Sequence, residues 1–421
     1  MSANLHDVIV VGGGPAGATV AALLAKSGAD VLLLERECFP RFHIGESLLP
    51  CDLPIFERLG LKPLEAGFLY KAGAEFMDEA IGGRAVYEFA FALPGTPDHA
   101  YQVERALFDA WLLERSRALG AKVHQGERVV EVEIPEESGK DRVVVRALRD
   151  GKGANGKPLS NEYHARYLID ATGQDALLGR LMRTTVVIDE FGLGAAFTHW
   201  VDLSPEVDEE LCVTAKGVIK VLCVDDGWCW AIPLGKRKIS IGLVSRKRGI
   251  DGSWLMRTIE ASPFLRRVTH GAKMVRAPRL LVSWSFYNRR QNGKRWLCIG
   301  DAACFIDPVF STGVSLGMVS AAHAADVLVD ALKHGKEGDP DLMNGHVEYM
   351  HHAYNTYATL VYNWYHTSLL HSMFFCNTPP ENLKRGLTSL LAGDVWRNDN
   401  EFQKILMESK KRRFVFEQGR A

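Results

Sequence analysis

Residues Val8–Glu35 read VIVVGGGPAGATVAALLAKSGADVLLLE. The apolar run Val8–Val11 predicts a strand, Ala16–Ser27 a helix, and Val31–Leu34 a second strand. Gly12, Gly14 and Gly17 stand between the first two at G-x-G-x-x-G spacing. Glycines there permit a tight turn and bring backbone N–H groups close to a pyrophosphate, at a helix N-terminus whose dipole favours an anion. Glu35 ends the second strand, roughly 20 residues on, where an acid accepts hydrogen bonds from a ribose. Ala16 lies in the same turn and Arg36 follows the acid. The three glycines alone are a weak sign of a dinucleotide site. The complete strand–turn–helix–strand unit ending on an acid is a strong one.

Outward from that unit, 421 residues leave room for two or three domains. A net charge of -1 gives no basic excess to draw nucleic acid or anionic lipid. The opening MSANLHD has no cationic segment before an apolar one, so no signal peptide is expected, and no apolar run suggests a membrane span. The eight cysteines form no C-x-x-C pair and show no metal-like spacing. Reduced core thiols and a cytoplasmic location are expected.

Strands are predicted over Ala121–Val123, Val129–Ile134, Val143–Ala147 and Tyr167–Gly173, with a hairpin tip at Arg149–Ser160. Further β-like runs are Ala195–Val201, Val218–Val224, Trp228–Ile232 and Lys238–Val244, then Trp296–Gly300. Helices are predicted from about Val314 to Lys333, over Asn344–Leu370, and over Pro380–Lys410. The expected organisation is a discontinuous nucleotide domain, residues 1–182 and 282–335, an inserted β-sheet domain, 183–281, placed over it, and a helical C-terminal region, 336–421.

The order GGGPAG, IDATG, CIGDAA resembles the flavoprotein monooxygenase superfamily. That resemblance implies an α/β fold with a Rossmann-like FAD-binding domain, similar to para-hydroxybenzoate hydroxylase. It implies that Asp301 reaches the ribityl chain and that Arg105 packs over the FAD. Asp301 has a simpler alternative as a helix N-cap.

Three segments narrow the resemblance to flavin-dependent halogenases: WCWAIP at Trp228–Pro233, FIDPVFSTG at Phe305–Gly313, and Lys71 within GFLYKAGAEF. In that family FADH2 and O2 oxidise halide to hypohalous acid, and a lysine hands the halogen to the substrate. The resemblance implies Lys71 as the catalytic lysine. It implies Trp228 and Trp230 as the partition between flavin and substrate, and Thr312 and Gly313 as the turn that holds chloride or bromide. Pro308 and Ser47 belong with the flavin. Each has a plainer alternative: a surface lysine, core tryptophans, an ordinary loop-to-helix turn. A buried lysine would suit the chemistry, because desolvation lowers its pKa. Phe310 stands where tryptophan halogenases carry a glutamate that assists the lysine. Halogenases of phenols and pyrroles also lack that glutamate, and the overall plan resembles the compact ones acting on carrier-tethered rings. The expected partners are therefore a separate flavin reductase and an acyl or peptidyl carrier protein. A hydroxylating FAD monooxygenase, a geranylgeranyl-reductase-like enzyme, or a flavoprotein without turnover are alternatives on the same fold. Tyr349–Phe375 is dense in aromatics and histidines. It reads as a core helix sooner than a pocket wall, and no complete metal-ligand set is present.

Overall fold

In the computed structural model of the protein, residues 5–135, 141–152, 158–282, 284–376, 378–408, 413, 414 and 416 are described. The opening unit forms as strand Leu5–Val11, helix Pro15–Lys26 and strand Val31–Glu35. Pro15 starts the helix, where its missing N–H has no helical acceptor to lose. Gly17 through Ala25 are all buried, so small side chains let this helix lie close on the sheet.

That sheet has eight strands. Its parallel centre runs from Trp296–Cys298 through Pro158–Asp170, Leu5–Val11 and Val31–Glu35 to Lys122–Gln125. Val143–Lys152 and Glu127–Glu133 extend one flank antiparallel. Of the predicted hairpin tip Arg149–Ser160, residues 153–157 lie outside the described residues, and the flanking ends pair antiparallel. The parallel strands end together, which is where ligands bind in open α/β sheets. Asp170 fixes the turn of IDATG there. Its carboxylate accepts from Leu178 N (2.7 Å) and from Thr172 N (3.0 Å) and Oγ1 (2.6 Å).

A second eight-stranded sheet is built on Gly194–Val201, Lys238–Ser245, Gly227–Gly235 and Ile219–Val224. It takes in more than the 183–281 segment. Gly73–Asp78 pairs parallel with Ile219–Val224, and Gly83–Glu88 closes that edge. Period-two alternation sorts its side chains. Trp228, Trp230 and Ile232 face one core, while Cys229 and Ala231 face another.

The C-terminal region is helical, but in shorter pieces than predicted. The run Asn344–Leu370 breaks after His366, because Thr367 is extended and its Oγ1 accepts from Leu369 N. The run Pro380–Lys410 divides into Glu381–Leu391 and Glu401–Glu408, with Asn400 accepting from Gln403 N at the second start. Helix Thr312–His334 has 23 residues and contains an 18-residue window of mean hydropathy 1.3, long and apolar enough to cross a bilayer, which the sequence reading did not anticipate. Its burial, 61% over that window, and its packing on helix Pro15–Lys26 are those of a core helix.

Candidate active site

A cavity of about 640 Å³ extends from the carboxyl edge of the first sheet to the face of the second. Gly12, Gly14, Ala16, Glu35, Arg36 and Ser47 line it from the opening segment. Arg105, Asp301, Pro308 and Gly313 line it from later in the chain, and Trp228 and Trp230 from the second sheet. Gly17 and Thr312 lie behind the wall: Gly17 packs against the Gly12 carbonyl and Thr312 is buried.

The polar groups are arranged for an elongated ligand. Glu35 accepts from Gly13 N (2.6 Å) through Oε2 and from Glu37 N (2.8 Å) through Oε1. It thus pins the glycine turn, and each oxygen keeps a lone pair for a hydroxyl. Arg36 pairs with Asp175 at the cavity rim. Arg105 is held in a fork by Asp109 (2.7 and 2.9 Å) and donates to the Ile44 carbonyl (2.6 Å), so it clamps the loop that carries Ser47. Ser47 Oγ is buried with no hydrogen-bond partner, a donor left for a ligand. Asp301 sits in the short turn Gly300–Ala302, whereas Ser311 takes the N-cap position of the long helix. Asp301 is therefore not that helix's cap. Burial pushes its carboxyl up to about 6, opposed by the Arg105 charge. A cavity of this length, with a glycine turn at a helix N-terminus, an orphaned hydroxyl and an acid at each end, fits FAD.

Trp228 and Trp230 stand side by side, ring centroids 5.8 Å apart. Trp230 Nε1 donates to Ser240 Oγ at 3.1 Å, and its ring occupies the space above Gly242, where a Cβ would lie 2.2 Å from Cζ2. Trp228 Nε1 donates to Tyr365 Oη (2.9 Å), which donates to Asp307 Oδ2 (3.0 Å). Burial pushes Asp307 up to about 6, with the Val309 and Gly192 amides opposing the rise. Tyr365 reaches Trp228 and Asp307 from the segment Tyr349–Phe375, whose buried apolar residues belong to the core and which lines neither cavity described here. Asp307 and Tyr365 carried no signal in the sequence beyond their place in a motif and an aromatic-rich helix. Among the described residues no cluster could hold a metal.

Lys71 is neither on the surface nor in the large cavity. It is 1% exposed, at the end of strand Leu69–Lys71, and faces a separate cavity of about 10 Å³. That is room for about one water. Leu49, Phe76, Phe89, Val221 and Phe310 surround it. Lys71 Nζ donates to the Leu48 carbonyl at 2.7 Å and lies 5.2 Å from the centroid of the Phe89 ring. Burial pushes its ammonium down to about 7, with Asp52 opposing the fall. Ile219 and Ser311 line both cavities, and Trp228 and Trp230 line only the large one. Sequence reasoning missed Ile219 and Asp52, and gave the motif residue Ser311 no role of its own. Apolar residues on a strand give no sign of what lies behind them.

The fold and cavity define an FAD-dependent oxidoreductase of the para-hydroxybenzoate hydroxylase type. Comparison with known proteins narrows the class. The sequence matches the family described as tryptophan halogenase over residues 7–98 and 92–404. It is 30% identical over 364 residues to the 1H-pyrrole-2-carbonyl-[peptidyl-carrier protein] chlorinase of Pseudomonas fluorescens, covering 79% of this chain and 78% of that one. It is 33% identical over 331 residues to the tryptophan 2-halogenase of Chondromyces crocatus, covering 76% of this chain but only 60% of that longer one. A flavoprotein/dehydrogenase structure from Cytophaga hutchinsonii superposes with TM-score 0.83 at 27% identity, covering 95% of this chain and 96% of that one. The chain belongs to the tryptophan halogenase family and is a flavin-dependent halogenase that uses FAD and halide.

Proposed function

We propose that this halogenase acts on an electron-rich phenolic or pyrrolic ring, carried as a thioester on a carrier protein. A separate reductase supplies FADH2, and the eight free cysteines suit the reducing cytoplasm. FADH2 supplies the electrons with which O2 converts halide into hypohalous acid.

The residues divide the work. Gly12, Gly14, Ala16, Gly17, Glu35 and Arg36 hold the nucleotide end, and Ser47, Arg105, Asp301, Pro308 and Gly313 the flavin end. Thr312 and Gly313 offer a halide the free N–H groups of a helix start. Trp228 and Trp230 form the cofactor-side wall. Lys71 receives the oxidised halogen, and its small cavity suits a molecule the size of hypohalous acid. The observation that carries this reading is the buried lysine set one wall away from the cofactor cavity. Phe310, 4% exposed, places a hydrocarbon ring where a carboxylate would assist an unreactive substrate. That favours a ring already activated by oxygen or nitrogen, and the similarity to a pyrrolyl-carrier chlorinase supports the tether. A ring needs more than 10 Å³, so its binding displaces side chains around Lys71.

The test is incubation with a flavin reductase, halide, O2 and matched panels of phenols, pyrroles and tryptophan, free and carrier-bound. Halogenated carrier-bound pyrrole or phenol is expected. Hydroxylated products alone, or a preference for free tryptophan, would overturn the proposal. Ile219→Phe tests the shared wall. FAD binding should persist, at a destabilisation of about 1–3 kcal/mol from overpacking. Ring halogenation should fall about tenfold while hypohalous acid formation continues, a loss of about 1.4 kcal/mol in transfer. Equal loss of both activities would place Ile219 in the cofactor site instead.

A further inference from the structure

We infer that Asp52 is the positioning carboxylate of Lys71, coupled to it through the Leu48–Leu49 peptide and taking the role that Phe310 leaves open. This rests on Lys71 being the halogen-transfer residue. Asp52 ends the turn Pro50–Asp52, just after Leu48 and Leu49, and is fully buried. Lys71 Nζ donates to the Leu48 carbonyl at 2.7 Å. Asp52 Oδ2 accepts from Leu49 N at 3.3 Å. That carbonyl and that N–H are the two ends of one peptide group. An anion on the N–H end polarises the amide and makes its oxygen a better acceptor for an ammonium. Ser315 Oγ donates to the same Asp52 oxygen (2.7 Å) and also accepts from Leu49 N (3.2 Å). The other oxygen, Oδ1, is buried with no hydrogen-bond partner. A buried carboxylate with an unused oxygen is expensive as mere structure, since an uncompensated polar atom weakens the fold.

The electrostatics follow from this geometry. Burial drives Lys71 down and Asp52 up, each to about 7, and each opposes the other's displacement. At neutral pH the pair exchanges one proton between a charged form and a neutral form, with no change in net charge. Lys71 can therefore present either an ammonium donor or an amine lone pair without exporting a proton to solvent. Other titratable groups around the pair do not compete. Burial pushes the Cys51 thiol and the Tyr357 hydroxyl well above their ordinary ranges, and Asp394 pairs with Arg397 at 2.9 Å. From the remaining walls Phe76, Phe89, Val309, Phe310 and Leu391 bring no charge.

The experiment follows Lys71 by NMR in the full-length protein labelled with 13Cε-lysine, its resonance assigned by its absence from Lys71→Met. Asp52→Asn should lower the Lys71 titration midpoint by about one pH unit or more. Asp52→Glu should restore part of the shift. Ring halogenation by Asp52→Asn should fall about tenfold, its pH profile moving the same way, while hypohalous acid formation, trapped in bulk with no ring substrate present, stays at the wild-type level. An unchanged midpoint in folded, flavin-binding Asp52→Asn would overturn the inference. Should Asp52→Asn not fold, Ser315→Ala removes a donor from the carboxylate and should lower the midpoint too, and no change there overturns it equally. A shifted midpoint in a protein that halogenates no ring would leave the coupling standing and remove the transfer role of Lys71.

Discussion

Lys71→Met is expected to bind FAD and form hypohalous acid at the wild-type rate while losing ring halogenation by about a hundredfold or more. Methionine matches the side chain as far as Cε and removes its nitrogen. The same variant should be more stable than wild type at acid and neutral pH. The sign follows from proton counting. Lys71 has its folded value near 7 against an ordinary 10.5, so between those values the unfolded chain binds more protons, and stability rises with pH. Below about pH 7 the burden of burying the ammonium is fully present. Methionine relieves it there, and the relief fades toward pH 10.5. Asp52, left without its partner, adds to that fading as it ionises. Thermal unfolding from pH 6 to 10 therefore reads a Tm difference that shrinks as pH rises. A flat difference, or a variant less stable at pH 6, would mean that Lys71 is held as a satisfied structural ion.

Gly14→Val is expected to abolish FAD binding in a chain that still folds. A Cβ at Gly14 meets only Arg41 Nη2, at 3.7 Å, and projects into the cavity at the helix start. The added methyls take the space of the pyrophosphate and leave the protein's own packing alone. Gly17 contrasts with it in the same motif. Its Cβ would lie 1.9 Å from the Gly12 carbonyl, so Gly17→Ala should destabilise the fold itself, by about 3 kcal/mol or more, the upper end of core overpacking. Flavin absorbance after gel filtration, read beside circular dichroism, separates the two. A yellow Gly14→Val protein would mean that the pyrophosphate lies elsewhere.

The parts legible in the sequence are those written by local periodicity. The first βαβ unit, the strand bearing Trp228 and Trp230, and the helix after Gly313 all formed close to their predicted bounds. Local patterning sets those elements, and so does the even spacing that puts both indoles on one face. Long-range pairing is not written that way. Gly73–Asp78 joins the second sheet through a parallel partner at Ile219–Val224, and no turn residue announces such a pairing. The site shows the same division. Glycines, acids and the indole pair stood out by type and spacing. Ile219, and the wall position of the motif residue Ser311, became visible only where two cavities share them. Asp52 was hidden because its chemistry depends on burial beside Lys71, and burial belongs to the tertiary fold.

Oxidised halogen is expected to pass from the cofactor cavity to Lys71 inside the protein. The most direct test is the yield of halogenated ring in the presence of a large excess of free methionine, a scavenger of hypohalous acid in bulk water. A yield independent of scavenger concentration is expected. A yield that falls in proportion to added methionine would contradict it, since the oxidant would then be crossing open solvent.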